Sequence, residues 1–178
     1  MTVGSEFLDQ SRKIFRSQKD LADKAIAQLT AADLFWQPDA ESNSIAINMK
    51  HLAGNMISRW TDFLTTDGEK PDRNRDGEFI ITENDPAGLH AYWERGYSVF
   101  FTTLDSLTED DLSKIVAIRR EPHTVIQAII RQISHYGYHV GQIVSLAKQI
   151  KRADWETLSI PRGKSEEFLN RKFVPPKS

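Results

Sequence analysis

Apolar residues recur at steps of three and four along four segments of the chain, which is the spacing of one face of a helix. The first two segments cover about residues 5–29 and 44–65. The last two cover about residues 85–104, where Asp85-Pro86 supplies an N-cap and a first-turn proline, and 124–151. Since only residues 115–119 suggest an extended piece, the pattern predicts an all-α fold.

The remaining segments are polar and connect or follow these helices. Residues 68–84, between helices 2 and 3, carry many charges around Phe79-Ile80-Ile81, which is typical of a long surface loop with an apolar anchor. We therefore expect one four-helix-bundle domain over residues 1–151 and a C-terminal tail over 152–178. Three aromatic residues are expected to pack the tail on the bundle: Trp155, Phe168 and Phe173.

The phrase L-T-x-x-D-L follows both helix 1 and helix 3, at residues 29–34 and 107–112. In each copy the threonine is a candidate cap of a short turn, and the acid three residues later can reach back to it. An internal duplication and a common helix-to-turn motif explain this repeat equally well.

Composition limits the classes of partner. The chain has 178 residues and is 39% hydrophobic, enough for one core. Its 23 basic and 25 acidic residues are intermixed and give a formal net charge of −2, so neither nucleic acid nor an anionic membrane is an expected partner. The N-terminus has no secretory pattern and no apolar run is long enough to span a bilayer, so a cytoplasmic location is expected.

Cysteine is absent, which excludes disulfides, thiolate zinc sites and a cysteine nucleophile, and leaves histidine and carboxylates as candidate metal ligands. His135 and His139 lie four residues apart on helix 4, so they project from one face, as two imidazole ligands of a divalent ion require. That face lies roughly 120–160° from the apolar ridge centred on Ile133. Either the pair is exposed, or helix 4 is buried on two sides.

Helix 2 offers a third imidazole, His51. It belongs to a polar row at helical spacing with four other residues, Asn48, Asn55, Arg59 and Asp62. Such a row suits a cleft wall as well as a solvated helix face, and both interpretations remain open. The other two histidines, His90 and His123, have no histidine at helical spacing and are expected at the surface.

One histidine in helix 2 and H-x-x-x-H in helix 4, within residues 47–55 and 133–143, make the chain resemble the DinB/YfiT-like superfamily over roughly residues 5–151. Segments 59–64 and 159–165 resemble a branch of that superfamily with no assigned activity. The resemblance implies a four-helix bundle, usually a homodimer, in which three residues bind one zinc or nickel ion: His51, His135 and His139.

The resemblance also implies a chemistry. Characterised members of the superfamily are S-transferases that use bacillithiol or mycothiol and a mycothiol-dependent maleylpyruvate isomerase, and others are described as metal-dependent hydrolases. We therefore hypothesise a metal-dependent enzyme that activates a low-molecular-weight thiol or water toward a small electrophilic substrate. The candidate catalytic residues are Asn55, Arg59, Asp62 and Tyr138.

Two alternatives stay open beside this hypothesis. Arg59 and Asp62 are spaced to form an ordinary helix salt bridge, which would give them no role in catalysis. The alternative to the enzyme is a non-catalytic, dimeric helical bundle that has a structural or regulatory role.

Overall fold

Four long helices dominate the computed structural model, which describes residues 2–82 and 84–172. They are α1 (Val3–Ile26), α2 (Ile45–Trp60), α3 (Pro86–Ser106) and α4 (Val125–Lys151). A short hairpin, β1 (Ile115–Ile118) and β2 (Glu121–Thr124), precedes α4, and a short helix, α5 (Ser165–Lys172), lies in the tail. The structure confirms the predicted all-α bundle class.

The helices pack as two neighbouring pairs, α2 with α3 and α1 with α4, and α2 also contacts α4. Helix α2 is the central element, because almost all of its side chains are buried. The approach of α3 to α2 depends on Gly96, where a Cβ atom would lie 2.7 Å from the Cα atom of Ala53. This close packing brings the polar flank of α2 inside the molecule.

Local capping sets the helix ends much as the sequence predicts. The Thr124 hydroxyl accepts from the backbone N–H of Gln127, whose side chain accepts from the Thr124 N–H, and Asp85 caps α3. Helix α2 ends at Trp60, earlier than the predicted boundary near residue 65. The reason is a turn in which Asp62 has φ 48° and its backbone carbonyl accepts from the N–H groups of Thr65 and Thr66.

The predicted extended piece is β1, and its antiparallel partner β2 was not predicted. Arg119 and Arg120 form the hairpin turn with φ values of 55° and 65°. The carboxylate of Asp67 accepts from both of their backbone N–H groups, which attaches the turn to the start of the 68–84 loop. Two consecutive left-handed arginines are hard to foresee, because this conformation normally favours glycine or asparagine.

In both copies of L-T-x-x-D-L the acid accepts a hydrogen bond from the threonine three residues before it. Asp33 accepts from the backbone N–H of Thr30, and Asp111 from that of Thr108, each at 2.8 Å. The predicted reach of each acid back to its threonine is therefore confirmed, while both explanations of the repeated motif stay open.

In the tail, Trp155 is partly buried against the core and Phe168 is half-buried, whereas Phe173 lies outside the described residues. The backbone of Glu156 also exchanges hydrogen bonds with the side chain of Gln28.

Within residues 2–82 and 84–172, no helix combines the length and apolar character needed to cross a bilayer.

Candidate metal centre

Three histidine side chains from two helices meet between α2 and α4. Their ring centroids lie 4.8–5.3 Å apart, and one nitrogen from each ring lies within 4.8 Å of the other two. His51 and His139 are buried and His135 is half-buried. Of the two interpretations of helix 4, burial on two sides is therefore correct.

Hydrogen bonds to neighbouring residues fix two of the three rings. The Nδ1 atom of His51 lies 2.9 Å from the Glu78 carboxylate, and Nδ1 of His139 lies 2.8 Å from Oδ1 of the Asn48 side-chain amide. Both partners accept here, since an ionised carboxylate has no proton and the Asn48 amide nitrogen already donates to Ser44. Both rings thus donate through Nδ1, which in a neutral imidazole leaves the Nε2 lone pair for a metal.

The third ring, that of His135, also directs its Nε2 atom toward the cluster. Nε2 of His135 lies 3.2 Å from Nε2 of His51, while its Nδ1 is buried and has no hydrogen-bond partner among the described residues. Tetrahedral coordination with bonds of about 2.1 Å places ligand nitrogens about 3.4 Å apart, so small side-chain adjustments suffice. The donor set and its spacing therefore fit one divalent cation.

The ionisation of the rings suits the same role. Burial lowers the pKa of His135 to about 3, reinforced by the neighbouring His139 and His51, and lowers the pKa of His139 to about 4, reinforced by His51. Both imidazoles are therefore neutral at pH 7. Neutral imidazole is the form that binds a transition metal.

Glu78, in the loop, belongs to the candidate site and was not predicted from the sequence. Its carboxylate accepts from His51 and, through both oxygens, from the Nε and Nη2 atoms of Arg73 at 2.7 and 2.8 Å. Burial alone would raise the pKa of Glu78, but the hydrogen bonds from His51 and Arg73 lower it, so the group stays ionised. The adjacent Phe79 ring lies 4.7 Å from the His51 ring, so part of the predicted apolar anchor covers the site.

A model of a protein family of unknown function, DUF1572, matches residues 2–164. The chain belongs to the DUF1572 family. That match includes all three histidines, Asn48 and Glu78. No protein with a curated description matches the chain.

In this DUF1572 protein, the polar row of α2 is a cleft wall. The solvated-face interpretation is wrong for Asn48, His51, Asn55 and Arg59, all of which are buried. Asn55 accepts from the Gln132 amide at 2.7 Å and from the Tyr136 hydroxyl at 3.2 Å, which joins α2 to α4 next to the histidines.

Of the four candidate catalytic residues, the structure brings two to the histidines and leaves two at the surface. Asn55 and Arg59 line a small cavity beside His51 and His135. Asp62 is exposed and outside that cavity, and no ion pair joins it to Arg59 within the described chain. Tyr138 is 66% exposed, although its ring lies 5.1 Å from that of His139.

Tyr136 and the two remaining histidines do not belong to the histidine cluster. Tyr136, rather than Tyr138, is the buried tyrosine, and its hydroxyl accepts from the Trp60 indole at 3.0 Å. His90 is exposed, and His123 is half-buried with its ring nitrogen 3.0 Å from the carbonyl oxygen of Glu121. Neither of these two histidines joins the cluster, as predicted.

Proposed function

We propose that this protein is a divalent-metal-dependent enzyme of the DinB/YfiT-like superfamily, acting as a thiol S-transferase or a hydrolase on a small electrophilic substrate. One observation carries the proposal: three imidazoles from two helices converge, with Glu78 and Asn48 turning two of them toward a common point. Zinc or nickel is the expected ion, because both accept imidazole ligands and the chain offers no thiolate.

The chemistry would divide between the ion and the residues around it. A divalent cation held by three imidazoles lowers the pKa of a water or thiol, and so supplies a nucleophile near neutral pH. Asn55 and Arg59 line the adjacent cavity, where they would orient the substrate. Glu78 holds the His51 ring, and Phe79 limits access of water to it. We assign no role to Asp62 or Tyr138, because both are exposed and neither lines this cavity.

Metal analysis tests the first half of the proposal. After purification without chelators, or after reconstitution, we expect about one zinc or nickel ion per chain by mass spectrometry. His135→Ala should lose this ion, whereas His90→Ala, which removes an exposed imidazole from α3, should keep it. A wild-type protein that holds no transition metal after reconstitution contradicts the proposal.

Turnover tests the second half. A chromogenic electrophile, assayed with and without an added low-molecular-weight thiol, distinguishes thiol transfer from hydrolysis. We expect His135→Ala to lose the activity that wild type shows and His90→Ala to retain it. His135→Ala could instead lose the metal and keep its oligomeric state and all activity. That result would contradict the metal-dependent enzyme and favour a bundle with a structural or regulatory role.

We further propose that the protein is a homodimer. The resemblance to the DinB/YfiT-like superfamily supports this, and so does the outward face of α4, where Ile130 is 53% and Tyr138 66% exposed. Light scattering coupled to size exclusion should give twice the chain mass, and a monomer at micromolar concentration contradicts the proposal.

A further inference from the structure

A cavity of about 220 Å³ adjoins the histidines, between α2, the 68–84 loop, the hairpin turn and α4. His51 and His135 form one part of its wall. Five guanidinium groups form much of the rest: Arg59, Arg73, Arg75, Arg119 and Arg131. Within the described chain, no aspartate or glutamate lines this cavity. Separate parts of the chain thus bring positive charge to one small space.

Two of the five arginines have acidic partners. Arg73 is paired with Glu78 at 2.7 Å and with Glu69 at 3.1 Å, and Arg119 contacts Glu69 at 3.3 Å. These two carboxylates do not line the cavity and are already shared among Arg73, Arg119 and His51. They leave a net positive charge in the cavity.

Arg59 and Arg131 have no carboxylate partner in residues 2–82 and 84–172. Arg59 is only 2% exposed, and its buried Nη1 atom has no hydrogen-bond partner among the described residues. Burial lowers the pKa of Arg59, and the positive charges of Arg131 and Arg73 add to that effect, whereas Tyr136 and Glu69 oppose it. A buried cation with an unpaired donor is costly unless a counter-charge accompanies it.

The stem of Arg59 is held in this position by the start of the loop. Its Nε atom donates to the carbonyl oxygen of Gly68 at 3.4 Å, and the Ser58 hydroxyl donates to the same oxygen at 3.1 Å. A Cβ atom at Gly68 would lie 2.7 Å from Cδ of Arg59, so any larger residue at position 68 would displace this side chain. The guanidinium is therefore positioned in advance, as a binding site requires.

We propose that the cavity binds an anionic group, a carboxylate or a phosphate, of the substrate or cosubstrate, through Arg59 in its interior and Arg131 at its exposed edge. A guanidinium pairs with either group through two parallel N–H donors. Arg131 lies one turn before His135, about 6 Å along α4. This inference deepens the proposed function: the electrophile, or the thiol, carries its anionic group a few bonds from the reacting atom.

Calorimetric titration with two probes, inorganic phosphate and succinate, tests the anion site in metal-free and in metal-loaded protein. We expect wild type to bind at least one probe in both forms, and the preferred probe identifies the group. Arg59→Met and Arg131→Gln should each weaken binding at least tenfold. Arg162→Gln, which removes an exposed arginine from the tail, should change binding less than twofold. If Arg59→Met does not fold, Arg131→Gln, at an exposed position, still tests the site.

The outcomes separate this inference from the metal proposal. Binding to metal-free protein that the cavity variants weaken supports the anion site, whatever the metal content of wild type. Failure of both probes to bind either form overturns it and leaves the metal proposal standing. Binding that requires the metal and ignores both cavity variants places the anion on the ion, and also overturns it.

Discussion

At His51, one carboxylate sets both the tautomer and the direction of the ring. Glu78 accepts from Nδ1 of His51 and is itself held by two hydrogen bonds from Arg73. Such an outer partner raises the basicity of the imidazole and removes its rotational freedom, so it contributes to metal affinity without touching the ion.

Glu78→Gln should therefore weaken metal binding while leaving the three histidines in place. We expect a 10- to 100-fold rise in the dissociation constant, because a neutral amide is a poorer acceptor for the His51 N–H and for Arg73. Competition with a chromogenic chelator measures the constant. Glu41→Gln, at an exposed position that belongs neither to the histidine cluster nor to the cavity, is the matched control. Equal dissociation constants for wild type and Glu78→Gln would remove Glu78 from the site.

At the scale of the elements, the bundle depends on how closely its helices approach and on how their connections are capped. Gly96 permits the contact of α3 with α2 at Ala53, whereas Gly141 on α4 has no atom within 4 Å of its ideal Cβ position. The same residue type thus has a packing reason at one position and none at the other.

Gly96→Ala and Gly141→Ala should change stability in opposite directions. The first forces a methyl group against the α2 backbone and should lower the free energy of unfolding by about 1–3 kcal/mol. The second adds helix propensity at an exposed site and should raise it by about 1 kcal/mol. Urea unfolding followed by circular dichroism measures both. Stabilisation by Gly96→Ala would contradict the close approach of the two helices.

The capped turn after α3 predicts how the stability of the fold changes at acidic pH. A hydrogen bond from Lys114, followed by two from Thr108, lowers the pKa of Asp111 to about 2, below the value of about 3.8 in the unfolded chain. The carboxylate therefore stabilises the fold above pH 4, and this contribution is lost as the pH falls through 2.

Asp111→Asn should cost about 1–2 kcal/mol at pH 7, and the cost should shrink as the pH falls below 4. Urea titrations at pH 7, 5 and 3 measure it. Asp110→Asn, at the exposed neighbouring position, should have little effect at any of these values. A difference that does not change with pH would show that the carboxylate charge contributes nothing.

At the scale of the whole molecule, the candidate site joins parts of the chain that are far apart in sequence. His51 and His135 lie 84 positions apart, and Glu78 reaches the site from a loop. A ligand that binds only this folded arrangement stabilises all of it, because the unfolded chain does not hold the residues together.

Metal loading should therefore raise the melting temperature. A free metal concentration 100 times the dissociation constant contributes about 2.7 kcal/mol. For a chain of this size that corresponds to an increase of about 5–11 °C. Calorimetry of chelator-treated and reloaded protein measures the increase, which His135→Ala should abolish and His90→Ala should retain. The same melting temperature in both forms of wild type would exclude tight binding to the folded state.

Local sequence information was enough for most of the fold. Helix periodicity, the Asp85 and Thr124 caps and both short turns follow from residues within four positions of one another, which is the range over which a helix or turn is specified. The partner strand β2 and the early end of α2 were missed. Both depend on left-handed residues, Asp62, Arg119 and Arg120, which the sequence does not mark.

For the site, the sequence determined which imidazoles can act together: the spacing of His135 and His139 places them on one face, and the resemblance adds His51. Only the tertiary structure decided that this face is buried, that Glu78 turns His51, and that Arg59 faces the cavity while Asp62 does not. The physical reason is that helical spacing fixes neighbours along one helix, whereas the path of a loop and the packing of two helices depend on contacts across the whole chain.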